Sequence, residues 1–187
     1  VTYTIAAAGG CPAVEATTGI TVTALPTASI SYAGTPYCSN AGTATVTFSG
    51  TSGGTYSAAP GGLSINPGSG TVNLAASTAG TYTVTYTIAA AGGCPEVTAT
   101  AGITVTALPV ASIAYADNPY CSNEGIVTVT QTGTPGGTYS APGGLSLNTG
   151  TGEVDLGAST PGTYTVTYTI AAANGCPAVE ATTSITI

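Results

Sequence analysis

The sequence predicts an all-β fold built as a tandem array of small β-sandwiches. Three observations carry this: a passage repeated at a fixed long interval, alternation of apolar and polar residues, and glycine-, proline- and asparagine-rich breaks between the alternating runs. TYTVTYTIAAAGGCPEV (Thr81–Val97) recurs as TYTVTYTIAAANGCPAV (Thr163–Val179), and its tail opens the chain as VTYTIAAAGGCPAV (Val1–Val14). The cysteines set the period: Cys11 and Cys94 are 83 residues apart, Cys38 and Cys121 also 83, and Cys94 and Cys176 82. Val1–Leu25 (1–25) is expected to be the C-terminal part of a truncated repeat. Pro26–Leu108 (26–108) is expected to be a complete repeat, and Pro109–Ile187 (109–187) a second, nearly complete one.

Within a repeat the elements follow in order. Alternation marks Ala28–Tyr32, Thr43–Phe48, Leu63–Ile65, Val72–Leu74, Thr81–Ile88 and Ile103–Val105. In Thr81–Ile88 the residues Tyr82, Val84, Tyr86 and Ile88 share one face and four threonines the other, as a half-buried strand requires. The breaks TSGG, APGG, NPGSG, STAG and AAAGG hold turn-forming residues, and Asn66–Gly70 and Asn148–Gly152 read as tight hairpins. About seven short strands in about 80 residues is the pattern of an immunoglobulin-like (Ig-like) sandwich. Gly80-Thr-Tyr82 and Gly162-Thr-Tyr164 stand at a strand start, where a tyrosine corner belongs. Phe48 aligns with Gln131, so that position is not deep core in both copies. Ala44, Val46, Val127 and Val129 are better core candidates. The junctions ITVTALPTASI and ITVTALPVASI leave only Ala-Leu-Pro between strands, so an end-to-end, stiff array is expected.

Composition removes whole classes of function. The chain has no Lys, Arg or His, seven acidic residues and a formal charge of −7. Nucleic acid binding lacks its cations, and an anionic membrane repels such a surface. Histidine acid–base chemistry, histidine-dependent nucleophiles and His-ligated zinc lack their central residue. No apolar stretch approaches the roughly 20 residues of a membrane span. Charged residues are 4%, yet hydrophobic residues are 43%, so the chain has the material for a core and is not of the disordered class. Trypsin has no cleavage site.

A sandwich of this size has a small core and needs a staple. Each complete repeat supplies two cysteines, one after its first strand (Cys38, Cys121) and one in its last hairpin (Cys94, Cys176); Cys11 is expected to be unpaired by truncation. The simplest pairing is Cys38–Cys94 and Cys121–Cys176, each closing a loop of over fifty residues and contributing roughly 4 kcal/mol in the chain-entropy model. In an ideal Ig topology, however, these two positions lie at opposite ends of the domain. Intra-domain pairing therefore needs a short or kinked first strand, which Gly34-Thr-Pro36 permits. An inter-domain Cys38–Cys176 staple and free thiols are the alternatives. Structural disulfides imply an oxidising, extracellular setting.

Other residues carry weaker signals. The Thr-x-Thr-x-Thr ladders resemble flat hydroxyl arrays, but their first reading is the solvent face of strands in a charge-poor chain. Glu153/Asp155 and Asp117/Glu124 could hold calcium, but the first repeat has Thr71/Asn73 and Gly34/Ala41 there, and calcium wants six to eight oxygens. Tyr37 and Tyr120, beside cysteines, are either a contact patch or the cover of a disulfide. No catalytic residue, metal site or cofactor is expected.

Cys38-Ser-Asn-Ala-Gly-Thr-Ala-Thr-Val, then Ala79-Gly-Thr-Tyr-Thr-Val-Thr-Tyr, then Gly93-Cys94, resembles the Ig-like tandem repeats of giant Bacteroidota surface adhesins, including gliding-motility adhesins of the SprB kind. The segment GGTYSAAPGGLS replaces the P-Y-x-Y-x-W of the commonest such repeats. The resemblance implies type IX secretion, surface display and a non-catalytic stalk or filament that carries adhesion. Its partners would be neighbouring repeats of the same chain, with lateral chains as a further class. A lectin-like module that binds surface glycans is the alternative.

Overall fold

The computed structural model describes every residue from Val1 to Ile187 and contains only strands, turns and loops. Two short strands, β1 (Thr2–Ile5) and β2 (Val14–Thr17), form an antiparallel hairpin. Its apolar side chains Tyr3, Ile5 and Val14 are exposed. The register runs from Ile5↔Val14 to Thr2↔Thr17, and beyond it Val1 and Thr18 exchange two further backbone hydrogen bonds of 2.9 and 2.7 Å. Residues 19–27, which include GITVT, are in no strand.

The first sandwich follows. One layer is a sheet of β4 (Tyr37–Cys38), β11 (Val97–Thr106), β10 (Gly80–Ile88) and β7 (Thr55–Ala59), in that order. The opposing layer pairs β3 (Ala28–Ser31) with β6 (Thr47–Gly50), and β5 (Thr43–Ala44) with β9 (Val72–Asn73) and β8 (Ser64–Ile65). These nine pieces are seven strands, because the first is broken into β3 and β4 and the second into β5 and β6. The break at Gly34–Pro36 lets the first strand leave β6 and cross to the other layer, where β4 runs parallel to β11.

Leu74, Val72, Val84, Ile103 and Val105 fill the space between the layers and are almost fully buried. Tyr82, Val84 and Tyr86 all face inward, as the alternation predicts. Phe48 is half-buried and meets Tyr86 edge-on, with ring centroids 4.9 Å apart. Gln131, at the matching position, sends its amide to the Thr132 and Thr134 carbonyls instead. The tyrosine corner is present twice: Tyr82 donates to the Thr78 carbonyl (2.6 Å) and Tyr164 to that of Thr160 (2.7 Å). Asn66 and Asn148 cap the predicted hairpins, each side-chain oxygen accepting two backbone N–H groups.

The second sandwich repeats the plan. Its strands are β12 (Ala111–Ala114), β13 (Ile126–Val127), β14 (Thr130–Gly133), β15 (Thr138–Ser140), β16 (Ser146–Leu147), β17 (Val154–Asp155), β18 (Thr163–Ile170) and β19 (Val179–Thr186). The sheet β15–β18–β19 faces β12–β14 and β13–β17–β16 around Leu156, Val154, Val166 and Ile185. Val166 and Tyr168 are buried, while Tyr164 is only half-buried.

Candidate functional site: the inter-repeat junction

The last hairpin of each repeat ends in a two-residue turn whose central residues both need positive φ. In the second repeat these are Asn174 (φ 50°) and Gly175 (φ 80°), and in the first Gly92 (φ 58°) and Gly93 (φ 81°). Asn-Gly and Gly-Gly suit that turn, whose twist matches the flanking strands. Ala173 and Cys176 close it with a reciprocal pair of backbone hydrogen bonds of 3.1 and 2.9 Å. Cys176 is therefore presented at the tip of the second repeat.

Cys38 is placed by the broken first strand. β4 pairs with the end of β11 (Val105↔Tyr37, Thr106↔Cys38), where the chain leaves the first repeat. The Ser39 N–H donates to the Thr106 carbonyl (2.8 Å), and the Leu108 N–H donates to the Ser39 hydroxyl (3.1 Å). Cys38 thus lies beside the link to the next repeat. The tip of the second repeat descends on it: the Cys176 sulfur lies 3.8 and 3.6 Å from the Thr106 and Ala107 carbonyl oxygens. Cys38 and Cys176 are joined in a disulfide, with Cα atoms 4.6 Å apart and a sequence separation of 138. Cys38 is fully buried and Cys176 nearly so.

This corrects the pairing expected first. Cys38–Cys94 and Cys121–Cys176 do not form, and Cys11, Cys94 and Cys121 carry free thiols. The reason is the ladder between β10 and β11, which runs from Gly80↔Val105 to Ile88↔Val97. Cys38 lies beyond its Val105 end and Cys94 beyond its Ile88 end. Nine residues at about 3.4 Å each put roughly 30 Å between them, against the ~7 Å limit of a disulfide. The kink at Gly34–Pro36 moves the first strand between layers but does not reverse it along the domain axis, so Cys38 stays at the exit end.

The sequence reading missed the residues that seat the bridge. A Cβ on Gly175 would collide with the Pro36 carbonyl oxygen, so the tip of one repeat presses on the backbone of the other. The usable signals were the glycine immediately before Cys11, Cys94 and Cys176, and the serine immediately after Cys38 and Cys121. Thr106, Ala107, Leu108, Pro109, Ile170 and Ala173 line a cleft of about 380 Å³ around the junction.

The Thr81 and Thr104 hydroxyls lie 3.2 Å apart on an exposed sheet face, and those of Thr163 and Thr186 3.0 Å apart. Glu153 and Asp155 border a shallow depression, and each accepts a local hydrogen bond, from the Thr151 hydroxyl and the Ala158 N–H respectively. Glu124 accepts the Cys121 N–H (3.0 Å). Tyr37 is half-buried, packs on the first core and donates to the Ala33 carbonyl. Tyr120 is half-buried too, and burial, with Asp117 and Glu124 adding to it, raises its pKa above the usual tyrosine value.

No family model matches the sequence, and no curated protein matches it. Solved structures do. Drosophila N-cadherin EC1-4 is 12% identical with a TM-score of 0.44, over 87% of this chain and 49% of that one. Sidekick-1 immunoglobulin domains 1-5 are 12% identical with a TM-score of 0.46, over 88% and 40%. A SusE-like surface-located polysaccharide-binding protein from Bacteroides thetaiotaomicron is 16% identical with a TM-score of 0.32, over 99% and 37%. This chain spans half or less of the length of each. The chain's own sheets make it an all-β array of Ig-like sandwiches, and the likeness to these structures adds no role to it.

Proposed function

We propose that this chain is a stretch of an extracellular, non-catalytic filament or stalk in which repeats such as 26–108 and 109–187 act as rigid spacers. The observation that carries this reading is the Cys38–Cys176 bridge, which fastens two repeats across their junction instead of stapling either one internally. A binding domain gains little from such a bond. A spacer gains a fixed angle and a fixed length.

Repetition supports the same reading. The Cys94 sulfur rests 3.7 and 3.6 Å from the Thr23 and Ala24 carbonyl oxygens, as Cys176 does on Thr106 and Ala107. Thr23 and Thr106 are 83 residues apart, so the same seat is built twice. In a longer array Cys94 would bond the first-strand cysteine of the repeat before it, and Cys121 the last-hairpin cysteine of the repeat after it. The near-identity of Thr81–Val97 and Thr163–Val179 favours a spacer over a ligand site.

The finer reading, a bacterial surface adhesin of the gliding-motility kind, rests on the Cys-Ser-Asn, Gly-Thr-Tyr-Thr-Val and Gly-Cys motifs. Electrophoresis of reduced native material in denaturant tests the stalk. A single very large band is expected. A ladder of small subunits, or a strong specific signal for this two-repeat chain on a glycan array, would overturn it.

A further inference from the structure

We propose that the Cys38–Cys176 bridge is a tension strap: a pull along the chain runs through the bond and bypasses the interiors of both sandwiches. This is a property of the chain itself and does not depend on the stalk reading, although it would give a stalk its mechanical purpose.

Two covalent paths join these cysteines. Going by backbone, Cys38 and Cys176 are separated by 138 residues; going by the bridge, their Cα atoms are 4.6 Å apart. Everything from β5 to β18 lies inside the closed loop. A pull on Val1 and Ile187 therefore loads only the 37 residues up to Cys38 and the 11 beyond Cys176. It can peel β3 and β4 from one repeat and β19 from the other, but it cannot draw out β10 or β18, which form the centres of the two large sheets.

The seating of the bond suits this task. Cys38 is held by the β4–β11 pairing and by Ser39, and Cys176 by the closed turn pressed on Pro36. Both sulfurs are shielded from solvent by the junction they join. Where the junction recurs, successive loops overlap. Cys11 and Cys38 are 27 residues apart, as are Cys94 and Cys121. Load would then pass from bridge to bridge through these short segments, along two interleaved covalent paths.

Single-molecule stretching of the whole chain, with handles fused at Val1 and Ile187, tests the strap. At ~3.3–3.6 Å per residue, the bridged chain should reach a contour length of roughly 160–170 Å, and the same chain under a phosphine reductant roughly 610–670 Å. Cys38→Ser should give the long contour without reductant, and Cys94→Ser should keep the short one. The wild-type comparison stands by itself if Cys38→Ser fails to fold. A contour unaffected by reductant would overturn the proposal. So would roughly 250–270 Å under oxidising conditions, the length expected if each repeat closed its own loop. A short native protein on the denaturing gel would defeat the stalk and leave the strap standing.

Discussion

Gly175 of the second repeat lies directly against the carbonyl of Pro36 in the first, so close that a methyl group could not be inserted between them. Gly93, the equivalent residue of the first repeat, has the same backbone conformation (φ 81° against 80°) and nothing within 4 Å of its would-be Cβ. The pair separates two causes. Gly93→Ala should cost only the left-handed penalty, about 1 kcal/mol. Gly175→Ala adds the steric clash and should also reduce the yield of the Cys38–Cys176 bond. Denaturation midpoints and the oxidised fraction of the two variants check this.

The connectivity itself can be read by digestion. Trypsin has no site, but cleavage after glutamate yields Ala16–Glu96, Val97–Glu124 and Val154–Glu180. The observed bridge must link Ala16–Glu96 to Val154–Glu180. Pairing within repeats would instead link Val97–Glu124 to Val154–Glu180 and leave Ala16–Glu96 internally closed. Mass spectrometry without reduction distinguishes these.

Each sandwich has its own core, and the two should be separable by mutation. Leu74 and Leu156 are fully buried, one in each. Truncation of either to alanine should cost about 2–5 kcal/mol. The effects should add, because the two side chains share no partner. Denaturation of the single and double variants provides the measurement.

Tyr86 makes two hydrogen bonds with one hydroxyl: it accepts from the Gly54 N–H (2.8 Å) and donates to the Thr51 carbonyl (3.1 Å). Tyr82 makes one, to Thr78. Tyr86→Phe should therefore destabilise by about 2 kcal/mol and Tyr82→Phe by about 1 kcal/mol. Equal losses, measured by chemical denaturation, would contradict this account.

Alkaline pH should unfold the chain through its tyrosines. Burial, with smaller contributions from neighbouring tyrosines, pushes Tyr32 and Tyr115 up to about 12. In the unfolded chain a tyrosine ionises near 10. The folded state thus holds protons that the unfolded state has released, and stability falls as pH rises from about 10 to about 12. Below pH 10 this contribution is fully present. Denaturation midpoints at pH 8 and at about pH 11 should differ in that direction. The experiment uses a chain with Cys11, Cys94 and Cys121 changed to serine, which prevents thiol exchange.

The β-strands and their inward faces were legible in the sequence because a strand exposes its period directly: Tyr82, Val84 and Tyr86 alternate with threonines, and alternation fixes which side is buried. The Asn66 and Asn148 turns and the Gly80-Thr-Tyr82 corner were legible for a similar reason, since each is a local hydrogen-bonding pattern among residues close in sequence. The breaks that divide the first two strands were less so, because a change of layer depends on what the opposing sheet offers.

Sequence alone determined the repeat, the sandwich class and the chemistry this chain lacks, for these follow from periodicity and composition. Only the tertiary structure decided the destination of each cysteine. A disulfide depends on two Cα atoms meeting within a few ångströms, and spacing along the chain does not reveal which ends of which domains are adjacent. The β10–β11 ladder keeps Cys94 a full domain length from Cys38, and the short Ala107-Leu108-Pro109 link brings the next repeat's Cys176 down onto it.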